Sequence, residues 1–166
     1  MAENTLANGA ANGAVENVAQ LNLQKIYTKD LSFEVPNAPQ VFQSQGQPNV
    51  ELNLSQRVNV LAEAVFEVVL SVTVTCKVDE STAYLAEVHQ AGIFGVAGFD
   101  QAGQEAVLAT YCPNVLFPYV RQVVSDLVQG GGFPPLLLQP INFDAIYAEQ
   151  MRRRAEAPAA GQALNS

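Results

Sequence analysis

Twelve residues, from Val65 to Cys76, alternate without interruption. Phe66, Val68, Leu70, Val72, Val74 and Cys76 fall on one side, and Val65, Glu67, Val69, Ser71, Thr73 and Thr75 on the other. A period of two over such a length marks a strand with one packed face and one wetter face. Three more segments carry the same signal. Ala83–Gln90 follows the polar turn Lys77–Ser81 and sets Tyr84, Ala86 and Val88 against Leu85, Glu87 and His89. Val50–Leu54, with a continuation toward Val60, points Val50, Leu52 and Leu54 inward and Glu51, Asn53 and Ser55 outward. Short polar turns between such strands imply an antiparallel sheet.

The first strand, Lys25–Val35, sorts Tyr27, Leu31, Phe33 and Val35 onto one face, interrupted only by Lys29. Thr28, Asp30, Ser32 and Glu34 take the other face, following Ile26. Pro36 and Pro39 then stop it, because proline cannot donate to a sheet ladder.

After Gly98 the period becomes helical. Ala102–Tyr111 forms a short helix ended by Cys112-Pro113. Asn114–Gln129 gathers Leu116, Val120, Val123, Val124, Leu127 and Val128 into one stripe, with Pro118 in or near its first turn and Gly130 just past its end. A last helix starts at Asn142 as N-cap, packs Phe143, Ile146, Tyr147, Gln150 and Met151, and carries Arg152, Arg153 and Arg154 in its final turn. Strands followed by helices make an α+β domain, expected over residues 23–154. Residues 1–22 and 155–166 read as tails, being rich in small and polar residues.

Charge narrows the partners. Between Asp30 and Glu105 ten acids face only Arg57 and Lys77, so this stretch carries the imbalance behind the net charge of −8. Nucleic-acid binding needs Lys and Arg against phosphates, so a basic protein partner is the natural counterpart. With 49% hydrophobic and 14% charged residues, the chain also suits an oligomer. Cys76 and Cys112 stand alone, in no metal-like spacing, and read as reduced structural thiols. Neither a secretory leader nor a bilayer-spanning run is visible, and the expectation is a cytoplasmic protein without direct membrane insertion.

Catalytic motifs are missing. His89 lies beside Glu87 on the outward face, and Gly130-Gly131-Gly132 follows a helix rather than opening one onto a phosphate. Asp79-Glu80 reads as a solvated turn. The connector Gly130–Ile141 carries a dense apolar run, Phe133-Pro134-Pro135-Leu136-Leu137-Leu138, that either closes over the domain's own core or forms a movable flap lining a groove for extended polypeptide. Phe33 and Phe42 are aromatic walls of that groove or ordinary core residues. Asp30, Glu34 and Glu87 share outward parity, with Glu51 and Glu67 as candidates to join them. That surface is either a solvated face or a docking site.

The run Ile26–Phe42, IYTKDLSFEVPNAPQVF, closely resembles the N-terminal signature of the SecB family of protein-export chaperones. The likeness continues in order through Phe66–Thr75, Ala91–Phe94, Tyr111–Tyr119 and Pro140–Asp144, covering about residues 23–150. It implies a four-stranded antiparallel sheet with helices packed on one face, assembled as a homotetramer, a dimer of dimers. It further implies ATP-independent binding of unfolded secretory preproteins in hydrophobic grooves and their delivery to the SecA motor ATPase, with no cofactor. By matching positions, Asp30, Glu34, Leu85 and Glu87 would receive SecA's zinc-bearing C-terminal tail, the zinc being the partner's. Phe33, Phe42, Phe133, Leu136, Leu137 and Leu138 would form the polypeptide groove, and Cys76–Gln90 would border the subunit interface. Gly46 stands where many relatives carry tryptophan, and the N-terminal tail is longer than usual. A dedicated chaperone for one unstable partner, and a small enzyme using His89 and Glu87 as an acid–base pair, are the competing readings.

Overall fold

The computed structural model describes residues 18–162. The expected N-terminal tail lies outside these residues up to position 17, and the last four residues of the C-terminal tail do as well. Four long strands, β1 (Gln20–Glu34), β2 (Pro48–Ala62), β3 (Val65–Val78) and β4 (Ser81–Ala97), form one antiparallel sheet in the order β1-β4-β3-β2. Three helices follow: α1 (Gln101–Ala109), α2 (Tyr111–Gly130) and α3 (Phe143–Gln162). The strands exceed their expected lengths at several ends, and β1 takes in residues 20–22 of the expected tail.

α2 lies across β3 and β4, and the core forms between them. Leu116, Val120, Val124 and Val128 are fully buried, as are Val68, Leu70, Val72 and Val74 of β3 and Val88, Phe94 and Val96 of β4. The even-numbered residues of β3 and β4 therefore face the helices, as the alternation requires. At the flanks the same face is less covered. Val50, Leu52, Val58 and Val60 on β2, and Leu23 and Leu31 on β1, are all exposed.

β1 corrects the expected face assignment. Its register with β4 slips between Thr28 and Asp30, leaving Lys29 as an extra, unpaired residue. A bulge of this kind reverses parity. Ile26 and Thr28 share the helix-side face with Leu31 and Phe33, while Tyr27 moves to the outer face with Asp30, Ser32 and Glu34. A second slip follows Leu23.

The helices also differ from expectation. The break between α1 and α2 falls at Thr110, so Cys112-Pro113 opens α2 instead of ending α1. Pro113 occupies the first turn, where a missing N–H costs no intrahelical bond, but Pro118 lies well inside α2. α3 is capped by Asn142 as expected, its Oδ1 accepting from the Ala145 amide at 3.0 Å. It then continues to Gln162, past the boundary expected at 154. Arg152 and Arg153 are thus mid-helix and pair with Glu149, Arg152 also with Glu156, while Arg154 meets Glu105 of α1. Of the residues expected to pack, Phe143 is buried and Tyr147 half-buried, while Ile146, Gln150 and Met151 are exposed.

Candidate functional site

Two surfaces, on opposite sides of the sheet, concentrate the candidate residues. The outer face is ordered by register into rows that cross all four strands. Glu51, Thr75, Leu85 and Glu34 form the first row, and Asn53, Thr73, Glu87 and Ser32 the second. Ser55, Ser71, His89 and Asp30 form the third, Arg57, Val69, Ala91 and Tyr27 the fourth, and Asn59, Glu67, Ile93 and Lys25 the fifth. Asp30, Glu34, Leu85 and Glu87 therefore do come together, within three consecutive rows on adjacent strands. Glu51 shares the first row but lies on β2, two strands from Leu85 and at the opposite edge of the sheet from Glu34.

Glu67 does not join them. It lies two rows beyond Asp30 and is only 6% exposed. Lys29 Nζ donates to both its carboxylate oxygens at 2.8 and 3.0 Å, Asn59 Nδ2 donates at 2.7 Å, and the Tyr27 hydroxyl donates as well. The Lys29 ammonium, then the Tyr27 and Asn59 donors, hold the Glu67 carboxyl down at about 2. Burial and the neighbouring carboxylate push the Tyr27 hydroxyl up to about 12. The bulge at Lys29 is what brings Tyr27 to this face.

His89 bridges two side chains. Its Nδ1 lies 2.6 Å from Ser71 Oγ, its direct cross-strand partner, and its Nε2 lies 2.6 Å from Glu87 Oε1. One tautomer serves both: Ser71 donates to Nδ1, and Nε2–H donates to Glu87. The order hydroxyl, imidazole, carboxylate is that of a nucleophilic relay. However, β3 and β4 are both interior strands, so the main-chain amides around Ser71 are committed to sheet ladders. An acyl-transfer site needs donors free to hold an oxyanion. What the arrangement does is fix the Glu87 carboxylate among the other acids of this face.

The second surface is a groove on the helix side, a cavity of about 430 Å³. Phe42, Phe133 and Leu136 line it, together with Val41, Val50, Val78 and Tyr84. Four rings form a chain behind and along it: Phe33 to Tyr84 at 5.9 Å between centroids, Tyr84 to Phe133 at 5.0 Å, and Phe133 to Phe42 at 5.2 Å. Spacings of this size suit tilted aromatic pairs. Phe33 thus supports the groove from behind Tyr84. Leu138 is only 6% exposed and belongs to the core, while Leu137 is 68% exposed and does not line the cavity. The connector accordingly packs into the core through Leu138 and lines the cavity through Phe133 and Leu136.

The connector's glycines serve as seats more than as a hinge. A Cβ on Gly131 would lie 2.4 Å from the Phe33 ring, and Gly132 has φ +89° with Phe42 over it. The amides of Gly131 and Gly132 donate to Leu127 and Gln129 at 2.9 and 3.0 Å, closing the end of α2. At the mouth of the groove, a Cβ on Gly46 would lie 2.0 Å from Asp79 Oδ1. The Asp79 carboxylate fills the space where a side chain at position 46 would begin. Cys76, also on the wall, is buried, and burial raises its thiol above the usual range. Tyr84, Val41 and Val78 were missed as groove residues. Tyr84's inward parity next to a turn was the available signal.

The family model described as preprotein translocase subunit SecB matches residues 14–154. The chain belongs to the SecB family. It is 59% identical over 134 residues to the protein-export protein SecB of Stenotrophomonas maltophilia, covering 81% of this chain and 78% of that one. It is 57% identical over 144 residues to the SecB of Xylella fastidiosa, covering 87% and 84%. Against the SecB of Xanthomonas oryzae pv. oryzae the identity is 55% over 151 residues, covering 90% and 88%. Among solved structures, the SecB-like chaperone of Mycobacterium tuberculosis in complex with a peptide of the HigA1 antitoxin superposes with a TM-score of 0.62 at 21% identity, covering 74% of this chain and 91% of that one. This likeness supports the shared fold. As a SecB-family protein, the chain is a protein-export chaperone. Among the described residues no helix is long and apolar enough to cross a membrane, and no group of three or more His, Cys, Asp or Glu side chains is placed to hold a metal ion.

Proposed function

We propose that this chain is an ATP-independent holding chaperone of the cytoplasm. It takes unfolded secretory preproteins into the aromatic groove and delivers them to the SecA motor through the acidic outer face. The observation that carries this reading is the separation of the two surfaces. An apolar groove with a ring chain lies on the helix side of the sheet, and Asp30, Glu34, Leu85 and Glu87 gather on the other. A client held in the first leaves the second open to a basic tail. Groove binding gains roughly 25 cal/mol per Å² of apolar surface removed from water and needs no sequence code.

The working particle is a homotetramer, a dimer of dimers. Supporting this are the apolar side chains that β1 and β2 leave exposed on the helix side, a surface fit for subunits to cover. A mass near four times 17.8 kDa, together with slowed refolding of a secretory precursor without nucleotide, is the expected result. A monomer that leaves refolding unchanged would sink the reading. Asp30→Ala or Glu87→Ala should weaken SecA binding while sparing unfolded clients. Equal loss of both, in folded and assembled protein, would show that the surfaces are not separate.

A dedicated chaperone for one unstable partner is the second reading, favoured by the mycobacterial structure with its antitoxin peptide. Tight binding of one client and no affinity for the SecA tail would decide for it. The identities of 55–59% to export proteins favour the first.

A further inference from the structure

The charges of the outer face are sorted by row. Glu51 and Glu34 occupy the first, Glu87 the second and Asp30 the third, and the next row opens with Arg57. Between the third and fourth rows lies a cavity of about 210 Å³, lined by Lys29, Asp30, Arg57, Val69 and His89. Val69 is only 2% exposed and forms its apolar floor. Two of the polar rim groups already have partners: Lys29 pairs with Glu67, and His89 is bonded to Ser71 and Glu87. Arg57 is exposed and makes no ion pair among the described residues.

We infer that Arg57 gives this face a direction, by receiving an acidic side chain of an extended and otherwise basic peptide whose cations lie over Asp30, Glu87, Glu34 and Glu51. This rests on the reading of the outer face as a docking surface. A ligand basic along its whole length would set a cation against Arg57, which costs affinity. An acid at that point removes the repulsion and meets a planar fork of donors matched to a carboxylate. The cavity exceeds the ~30 Å³ share of several waters, so a short acidic side chain fits it. Spacing follows from the strand rise. Glu51 and Arg57 are six residues apart on β2, about 20 Å at the strand rise. Asp30 and Glu34 lie on the opposite edge strand, about 14 Å across the sheet, so in an extended ligand the acid stands about five residues from the cation over Asp30 and about seven from the one over Glu34.

Three synthetic peptides of about a dozen residues test this. All share a lysine-rich end and carry Glu, Gln or Lys at the position due over Arg57, and binding to the full chain is read by fluorescence anisotropy. Wild type should bind the Glu peptide about fivefold more tightly than the Gln peptide, as for a partly exposed ion pair. Arg57→Ala should bring these two to parity, and Arg57→Glu should reverse the order in favour of Lys. No discrimination by wild type, or discrimination that survives Arg57→Ala, overturns the inference. Glu34→Ala and Glu51→Ala, both in the first row and away from the cavity, should weaken all three peptides by the same factor and leave the Glu-to-Gln ratio unchanged. If those two substitutions change nothing, the docking face itself is wrong and the inference falls with it. If they act as expected while Arg57→Ala does not, only the inference falls.

Discussion

Lys29 leaves the β1 ladder as a bulge and places its ammonium 2.8 Å from the buried carboxylate of Glu67, two strands away. A buried charge is tolerated only when its oxygens are fully engaged, and here Lys29, Tyr27 and Asn59 engage them.

This network should make acid stability depend on Glu67. Its carboxyl is held near 2 against an ordinary value of 4.5, so its contribution is full above about 4.5 and is lost as pH falls toward 2. Glu67→Gln should cost about 1–3 kcal/mol at neutral pH, with the difference from wild type closing over that acid window. Denaturant melts at a series of pH values measure it. A constant difference down to pH 2 would refute the linkage.

Lys29 itself separates side-chain from backbone effects. Lys29→Ala removes one partner of a buried carboxylate and should cost about 1–3 kcal/mol while leaving the fold intact. Deleting Lys29 removes the bulge residue but leaves Thr28 opposite Gln90 and Asp30 opposite His89, so every β1 side chain keeps its face. That deletion should keep cooperative unfolding, as seen by circular dichroism, and lose about the same stability as Lys29→Ala.

Leu137 and Leu138 are neighbours with opposite expected behaviour. Leu138→Ala opens a hole in the core and should destabilise by about 2–5 kcal/mol. Leu137→Ala, at an exposed position, should stay within about 0.5 kcal/mol of wild type. Phe133→Ala should act differently from both, lowering affinity for an unfolded apolar client because it removes the middle of the ring chain.

Asp79 and Gly46 should prove coupled. Asp79 adopts φ +49°, a conformation glycine accepts without penalty, so Asp79→Gly should stabilise by about 0.5–1 kcal/mol. Gly46→Trp forces the Asp79 carboxylate aside and should cost stability in the wild-type background. In the Asp79→Gly background it should cost less. A double-mutant cycle with no interaction energy would show that the two do not share this space.

The sheet was legible because β3 and β4 obey strict alternation, and α2 because its stripe is broad. The error in β1 has a physical origin. Parity was extended through Lys29 as though the ladder were regular, yet a charge at an inward position was itself the mark of a slip. Tyr27 disguised it, since a ring with a hydroxyl suits either face. The reach of α3 was hidden by the mixture of alanine with proline, glycine and glutamine near its end. On the acidic side, parity alone grouped Asp30, Glu34 and Glu87, but only register could separate Glu67 from Glu51. The groove was half visible: Phe133 and Leu136 announced themselves, while Tyr84 looked like any inward strand residue.

Only the middle of this sheet has a roof. α2 shelters β3 and β4, while Val50, Leu52, Val58 and Val60 on one flank, and Leu23 and Leu31 on the other, stay exposed on the same face. A fold left open in this way is steadied by whatever covers those flanks, whether another copy or a stretch of foreign chain. Its melting temperature should therefore be a function of its own concentration and of the company it keeps, rather than a fixed property of one polypeptide.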